Sequence, residues 1–259
     1  MKGNDGECVL CPRACGARRG EGELGFCQST HRPSVATVCV HRGEEPVFGP
    51  EGMVNVFFHH CTMQCVYCQN HQVSLNFAKA EHTDAETLAG EILKLLGPRR
   101  PCAGFVSPSH FVPQMREVIT MLRRGAPYAV SVMNTGAYDL RGTIESLEGE
   151  VDVYLPDFKY MDDALAREYS QAPGYPGVAL AALREMYRQK GSNLAMDEAG
   201  LIRSGLVVRH LILPGHTENS IACLRALAEE LSTSVHVSLM AQYHPCLLYT
   251  SPSPRDRTR

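Results

Sequence analysis

Three cysteines lie close together in the sequence at a spacing that suits a metal centre. They form the C-x3-C-x2-C motif Cys61-Thr-Met-Gln-Cys65-Val-Tyr-Cys68, whose short loop directs three sulfurs at one point. Three thiolates hold three corners of a four-iron cluster, and the fourth iron then keeps an open position for a small molecule. The motif therefore predicts a [4Fe–4S] cluster that binds a ligand.

The same cysteines allow a second interpretation, which is a structural zinc site completed by a nearby histidine. His59, His60 and His71 are the candidates for the fourth ligand. Zinc sites usually contain paired C-x2-C units rather than this uneven triplet, so the spacing favours the cluster.

A second group of four cysteines stands near the N-terminus, comprising Cys8, Cys11, Cys15 and Cys27. Four thiolates are enough to close a tetrahedral zinc site or to ligate an auxiliary iron–sulfur cluster, and the spacing does not choose between them. This glycine-rich segment has too little apolar sequence to order itself by burial, so we expect a bound metal to stabilise it. The other cysteines are interpreted as small buried apolar residues: Cys39, Cys102, Cys223 and Cys246.

From about Met53 onward, apolar runs of strand length alternate with segments of helical periodicity. Six runs are predicted to be strands: 54–58, 102–106, 128–133, 151–155, 206–213 and 235–240. This alternation predicts right-handed crossovers and a parallel sheet. A polar or reactive residue follows every run, and the carboxyl ends of parallel strands are where such folds carry their chemistry. Reactive residues after all six strands favour a barrel-like ring over a single crevice.

Several segments together resemble the radical S-adenosylmethionine (SAM) superfamily. They are the cysteine triplet with the aromatic Tyr67, Cys8-Val-Leu-Cys-Pro-Arg-Ala-Cys15, His41-Arg-Gly-Glu-Glu-Pro46, Tyr154-Leu-Pro-Asp-Phe-Lys-Tyr160 and Val208-Arg-His-Leu-Ile-Leu-Pro-Gly215. The resemblance is to the branch related to pyruvate formate-lyase activating enzyme and covers about residues 8–245. It implies an α/β fold with a partial (β/α)6 barrel over residues 53–245, preceded by a Cys-rich N-terminal extension over residues 1–52.

The resemblance also implies a mechanism and a set of contacts. SAM would bind the open iron, and one electron from the cluster would cleave its sulfonium to give a 5′-deoxyadenosyl radical that abstracts hydrogen from the substrate. Tyr67 is expected to face the adenine, and Asp157 and Lys159 to line the SAM and substrate cavity. Asn134 and Arg209 are expected to be polar contacts there. The alternative for Asp157 and Lys159 is a surface ion pair, which contributes little stability.

One segment departs from the better-known activating enzymes. They carry Gly-Gly-Glu-Pro after the second strand, where it holds the SAM amino group, and this chain has Ser107-Pro-Ser-His110 instead. Ser107, Ser109 and His110 are the candidate replacements, with a surface histidine as the alternative for His110. The difference puts activity on the substrate of those enzymes in doubt.

The C-terminal segment breaks from the barrel pattern. Residues 246–259 match one reading frame of a sequencing adapter, so we expect a non-native tail that carries no site.

The whole chain carries a formal net charge of −3, and its Lys and Arg residues are scattered, so no nucleic-acid partner is indicated. No apolar run is long enough to span a membrane, and the eleven cysteines favour metal ligation in a reducing cytoplasm over disulfides. The expected partners are SAM and an electron donor such as flavodoxin or ferredoxin. The leading hypothesis is activation of a glycyl-radical enzyme, which would be a protein substrate. The alternatives are radical modification of another molecule and a zinc-stabilised binding module without catalysis.

Overall fold

The computed structural model of the chain describes residues 6–42 and 48–249. An eight-stranded sheet forms its centre, and the strands are β1 (Val35–His41), β2 (Met53–Phe58), β3 (Cys102–Val106), β4 (Val130–Thr135), β5 (Val153–Pro156), β6 (Ala195–Met196), β7 (Ile202–Leu211) and β8 (His236–Met240). The helices are α1 (His71–Ser74), α2 (Ala85–Leu95), α3 (Val112–Gly125), α4 (Arg141–Glu145), α5 (Asp163–Ser170), α6 (Tyr175–Lys190) and α7 (Thr217–Glu230). Among the helices of these described ranges, none combines the length and the apolar character that a membrane span requires.

Six of the strands are parallel, in the order β2-β3-β4-β5-β7-β8. Each corresponds to one of the six predicted runs, and helices connect them along the chain. The predicted α/β fold with a parallel (β/α)6 arrangement is therefore confirmed.

The two remaining strands run antiparallel and were not predicted. Strand β1 pairs with β2, and the short strand β6 pairs with β7. The turn into β2 needs a glycine at position 52, where φ is +69° and a Cβ atom would lie 2.0 Å from the His41 carbonyl oxygen. Because β1 falls within the segment predicted as the N-terminal extension, the sheet begins earlier in the chain than residue 53.

The helices pack on the sheet through apolar faces that follow the helical period. In α2 these buried residues are Leu88, Ala89 and Ile92, and the Asp84 side chain caps the helix by accepting a 2.8 Å hydrogen bond from the Thr87 N–H. Helix α3 contributes a similar face to the same core.

A separate, smaller core fills the opposite face of the sheet at the beginnings of the strands. It includes Met53, Cys102, Val130 and Val153, which are all almost fully buried. Apolar side chains therefore close this end of the sheet, and the polar residues gather at the other end, where the strands finish.

The isolated cysteines lie where the sequence predicts apolar packing, except that Cys39 is only half-buried. Residues 246–249 of the predicted tail form a 3-10 turn in which the Leu247 N–H donates to the Val66 carbonyl. Residues 250–259 lie outside the described residues, as do residues 43–46 of the segment His41–Pro46. The non-native origin of the tail stays a prediction.

Candidate metal and cofactor site

A cavity of about 280 Å³ opens at the carboxyl ends of the parallel strands. Every one of the six strands, or the residue directly after it, contributes to its wall: Phe57, Val106, Asn134, Asp157, Arg209 and Met240. Strands β2 and β8 stand at opposite ends of the parallel series, so they reach one cavity only because the sheet curves. This curvature is what the predicted barrel-like ring requires.

All three cysteines of the triplet line this cavity. Their loop connects β2 to α1, and hydrogen bonds from distant parts of the chain fix its backbone. The Cys61 N–H donates to the Asn76 side chain at 3.1 Å, and the Gln64 N–H donates to the Ser170 carbonyl at 3.0 Å. Residue Ser170 ends helix α5, so that helix helps to hold the cysteine loop in place.

Each sulfur of the triplet accepts a hydrogen bond. The donors are the Met63 N–H to Cys61 at 3.3 Å, the Ser170 hydroxyl to Cys65 at 2.9 Å and the Ser74 hydroxyl to Cys68 at 3.2 Å. Burial raises the pKa of the Cys61 thiol to about 12 and that of the Cys65 thiol to about 11. Thiols with such high pKa values ionise at neutral pH only when they bind a metal cation.

The residues present fit a [4Fe–4S] cluster. Three soft thiols face one cavity, and polar side chains on its other walls leave room for a small ligand beside them. Within residues 6–42 and 48–249, no three His, Cys, Asp or Glu side chains surround a position suited to a single metal ion.

The histidines considered as zinc ligands have other positions. His60 is buried, and both of its ring nitrogens have partners, Ser29 at 3.3 Å and the Ala78 carbonyl at 2.9 Å. The Nδ1 atom of His71 lies 3.1 Å from the Cys68 carbonyl. Both ring nitrogens of His60 are therefore engaged with oxygen partners, and neither His59 nor His71 lines the cavity.

A charged group lines the same cavity as the cysteines. Asp157 accepts hydrogen bonds of 2.7 Å from both Lys159 and Arg209, and Arg209 also donates to the Asn134 side chain at 2.8 Å. The side chains of Asp157, Lys159 and Arg209 are only 20%, 15% and 12% exposed, so they are not a surface ion pair. The structure brings together every contact residue that the resemblance suggested, since Tyr67 lines the cavity as well.

The charges of this group follow from its geometry. Burial alone would raise the pKa of Asp157, but Arg209 and Lys159 lower it to about 2. Burial alone would lower the pKa of Lys159, but Asp157 holds it well above its usual value. With one carboxylate against two cations, the group has a net positive charge, which suits a ligand that carries a carboxylate.

Among the residues that replace Gly-Gly-Glu-Pro, only Ser107 lines the cavity. Ser109 is buried and lies 3.3 Å from the Thr135 hydroxyl, and His110 is 1% exposed with its Nε2 atom 2.9 Å from the His59 carbonyl. The interpretation of His110 as a surface histidine is therefore wrong. Its loop folds under the N-terminal segment, because the His110 carbonyl accepts a 2.6 Å hydrogen bond from Arg19.

Non-glycine residues with positive φ occur after each of the first three parallel strands. They are His60 at +67°, Ser107 at +54° and Ala137 at +58°. Such conformations cost free energy and tend to cluster at functional sites. His60 and Ser107 line the cavity, and Ala137 directly follows Gly136, which also lines it.

A close approach between two of these loops depends on a glycine. A Cβ atom on Gly136 would lie 2.7 Å from the Met63 sulfur, inside the cysteine loop. Met63 is 3% exposed and packs in the main core. Because residue 136 has no side chain, the cysteine loop can pack closely against the end of β4.

The four N-terminal cysteines do not line the cavity. Cys11 and Cys27 are buried, Cys8 is half-buried and Cys15 is exposed. Burial, together with the neighbouring Cys27 and Cys8, raises the pKa of Cys11 to about 12. Three of the four thiols are thus close neighbours, and the metal predicted for this group stays a prediction.

Arg13 links the N-terminal segment to the cysteine loop, which the sequence did not suggest. Its guanidinium donates to the Thr62 carbonyl at 2.9 Å and to the Gln171 carbonyl, and it stacks 3.7 Å from the centre of the Phe26 ring. Thr62 directly follows Cys61, so one side chain bridges the two cysteine groups.

No protein-family model matches the chain. An uncharacterised protein of Methanocaldococcus jannaschii, MJ0674, is 26% identical over 248 residues, which cover 92% of this chain and 66% of that protein. The chain thus spans just under two thirds of that relative.

Solved structures with a similar fold include SuiB of Streptococcus suis bound to S-adenosylmethionine, which is 10% identical with a TM-score of 0.49 over 73% of this chain and 40% of that chain. Methylornithine synthase (PylB) is 16% identical with a TM-score of 0.49 over 73% of this chain and 53% of that chain. A domain of pyruvate-formate lyase-activating enzyme from Bacteroides vulgatus is 14% identical with a TM-score of 0.31 over 50% of this chain and 93% of that chain.

These structures are of radical SAM enzymes, as the resemblance in the sequence predicts. Their TM-scores lie below 0.5.

Proposed function

We propose that this chain is a radical SAM enzyme. Cys61, Cys65 and Cys68 would each ligate one iron of a [4Fe–4S] cluster, and the cavity beside them would hold SAM at the fourth iron. When bound, the cluster and SAM supply one-electron cleavage of the SAM sulfonium and abstraction of a hydrogen atom from the substrate. The observation that carries the proposal is that the triplet and the ends of all six parallel strands meet at one cavity.

The protein's own residues would bind and orient the ligand. Lys159 and Arg209 bring positive charge to the cavity, and Asp157 holds both cations in place through hydrogen bonds of 2.7 Å. This arrangement favours the carboxylate of SAM, while the Asp157 carboxylate suits its positively charged groups. Tyr67 would place an aromatic surface beside the adenine, and Ser107 is the residue of its loop that reaches the ligand.

The substrate class and the partners extend this proposal. Because the sequence motifs resemble activating enzymes, we assign hydrogen abstraction from a backbone glycine of a protein substrate as the leading activity. A flavodoxin or ferredoxin would supply the electron. None of the eleven cysteines, which all lie within the described residues, forms a disulfide bond, and this suits a reducing compartment such as the cytoplasm.

Anaerobic reconstitution with iron and sulfide, followed by an assay for 5′-deoxyadenosine, tests the proposal. We expect four irons per triplet site, a reduced-cluster spectrum that changes when SAM is added, and release of 5′-deoxyadenosine. The Cys65→Ala variant is the matched control and should produce none. A wild-type preparation with stoichiometric zinc, no iron uptake and no SAM cleavage would instead support a zinc-stabilised binding module.

A further inference from the structure

A buried chain of three hydroxyl groups ends on one sulfur of the triplet. The Ser170 hydroxyl is 2.9 Å from the Cys65 sulfur and 2.7 Å from the Tyr160 hydroxyl, which in turn is hydrogen-bonded to the Tyr67 hydroxyl. Ser170 and Tyr160 are fully buried and Tyr67 is 6% exposed, so water does not compete for these bonds.

Ligation of Cys65 to iron would fix the direction of every proton in this chain. A thiolate has no proton to donate, so the single hydroxyl proton of Ser170 must point at the sulfur. The Ser170 oxygen then accepts from Tyr160, and the Tyr160 oxygen accepts from Tyr67. All three O–H dipoles therefore point toward Cys65, and hydrogen bonds aligned in this way strengthen one another.

We propose that Ser170, supported by Tyr160 and Tyr67, raises the reduction potential of the cluster through this hydrogen-bond chain. The inference rests on the proposed function. Reduction adds one electron to the cluster, and no proton has to move along the chain. Hydrogen-bond donors that point at a ligand sulfur stabilise the reduced cluster, which is more negatively charged, more than the oxidised cluster. The hydrogen-bond chain would thus keep the reduction potential of the cluster high enough for the electron donor to reduce it.

The other serine contact provides a contrast within the same site. Ser74 donates to Cys68 at 3.2 Å, but it is only half-buried on the short helix α1. Water can replace its hydroxyl after substitution, and water cannot replace that of Ser170. Ser170 is therefore a positioning and tuning residue, and its effect should exceed that of Ser74.

The fold does not depend on the Ser170 hydroxyl to hold the loop. The Ser170 backbone carbonyl accepts from the Gln64 N–H, and the adjacent Tyr169 carbonyl accepts from the Val66 N–H at 2.9 Å. Replacement of Ser170 by alanine leaves both bonds available, so the cysteine loop should keep its position.

The test is a redox titration of the reconstituted cluster, followed by electron paramagnetic resonance and performed without SAM so that Tyr67 makes no ligand contact. We expect the midpoint potential to shift downward most in Ser170→Ala, less in Tyr160→Phe and least in Tyr67→Phe. Ser74→Ala should shift less than Ser170→Ala. Ser131→Ala is the matched control, because this buried serine donates to the Glu150 carbonyl at the opposite end of the sheet and should leave the potential unchanged.

Wild-type potentials in Ser170→Ala and Tyr160→Phe at full iron content would overturn the inference, and so would an upward shift. If Ser170→Ala takes up too little iron, Tyr160→Phe still decides, because it keeps the Ser170 hydroxyl. A wild-type protein that forms no cluster would overturn the proposed function and this inference together. A wild-type cluster with unshifted variants would overturn this inference alone.

Discussion

The two cysteine groups are held by different means. The loop of Cys61, Cys65 and Cys68 is fixed by side chains and carbonyls from remote parts of the fold, including Ser170, which is 105 residues from Cys65 in sequence. The N-terminal group lies in a segment that folds back on itself, and its contacts with the barrel include those of two arginines, Arg13 and Arg19. The first group therefore depends on tertiary structure that already exists, whereas the second is predicted to need its own metal to order its segment.

The largest expected effect comes from Cys65→Ala. The substitution removes a thiolate whose softness water cannot match, so the cluster should be lost or become labile. The strands and helices do not depend on this sulfur, and the fold should persist. Iron content and circular dichroism measured on the same sample check both statements.

Cys11→Ala is the corresponding substitution in the N-terminal cysteine group. It should lose metal from the N-terminal site while the cluster of the triplet still forms, because Cys11 is not among the residues around the cavity. A folded Cys11→Ala protein that bound no iron at all would mean that both groups share one centre, and the comparison between them would fail.

Arg13→Ala tests the connection between the two regions. The variant loses hydrogen bonds from a charged group to the Thr62 and Gln171 carbonyls, as well as the contact with Phe26. We expect the free energy of unfolding to fall by about 2 kcal/mol in urea denaturation. Arg18→Ala is the control, since that exposed arginine makes only surface ion pairs and should change stability by less than about 0.5 kcal/mol. Equal effects of the two substitutions would show that Arg13 does not anchor the segment.

Gly136→Ala tests how closely the cysteine loop packs against the end of β4. The new methyl group would meet the Met63 sulfur at 2.7 Å, so Met63 must move, at a cost of about 1–2 kcal/mol. Gly90→Ala is the matched control. Apart from its chain neighbours and the backbone of α2 itself, the added methyl group would meet no atom within 4 Å, and stability should rise by about 0.5–1 kcal/mol. Thermal denaturation of both variants measures their changes in stability, which should have opposite signs. A stabilised Gly136→Ala protein would contradict the close packing.

The sequence predicts the strands best where burial is complete on both faces. Strand β3 has the predicted bounds, Cys102–Val106, because its five residues are all buried and apolar. Strand β4 extends two residues beyond the predicted run and includes Asn134 and Thr135. These polar residues are typical of a loop in sequence, but here they belong to the strand because their side chains face the cavity and its surroundings.

Strand β1 was missed although it is rich in β-branched residues, which was a usable signal. Its position within a glycine- and cysteine-rich segment obscured that signal. The sequence motif also predicts which three cysteines line the cavity. It does not predict the partners of those sulfurs, because Ser170 meets Cys65 only through the docking of the end of α5 on the loop.

His110 lies between the two regions. Its carbonyl accepts from Arg19 of the N-terminal segment, and its ring contacts the His59 carbonyl beside the cysteine loop. Burial, together with the positive charge of Arg19, lowers the pKa of His110 from 6.5 to about 3 in the folded protein. The unfolded chain therefore binds a proton in the pH range from 6.5 to about 3 that the folded chain does not bind.

His110 stabilises the fold fully above pH 6.5, and this contribution is lost as the pH falls toward 3. The loss amounts to at most about 1.4 kcal/mol per pH unit for a single proton. His110→Gln cannot bind that proton, so its free energy of unfolding should fall less steeply between pH 6.5 and pH 5 than that of the wild type. Urea denaturation at several pH values gives both slopes. Parallel slopes would show that His110 takes up its proton without unfolding, and the junction between the N-terminal segment and the cysteine loop would then be more open to water than the structure indicates.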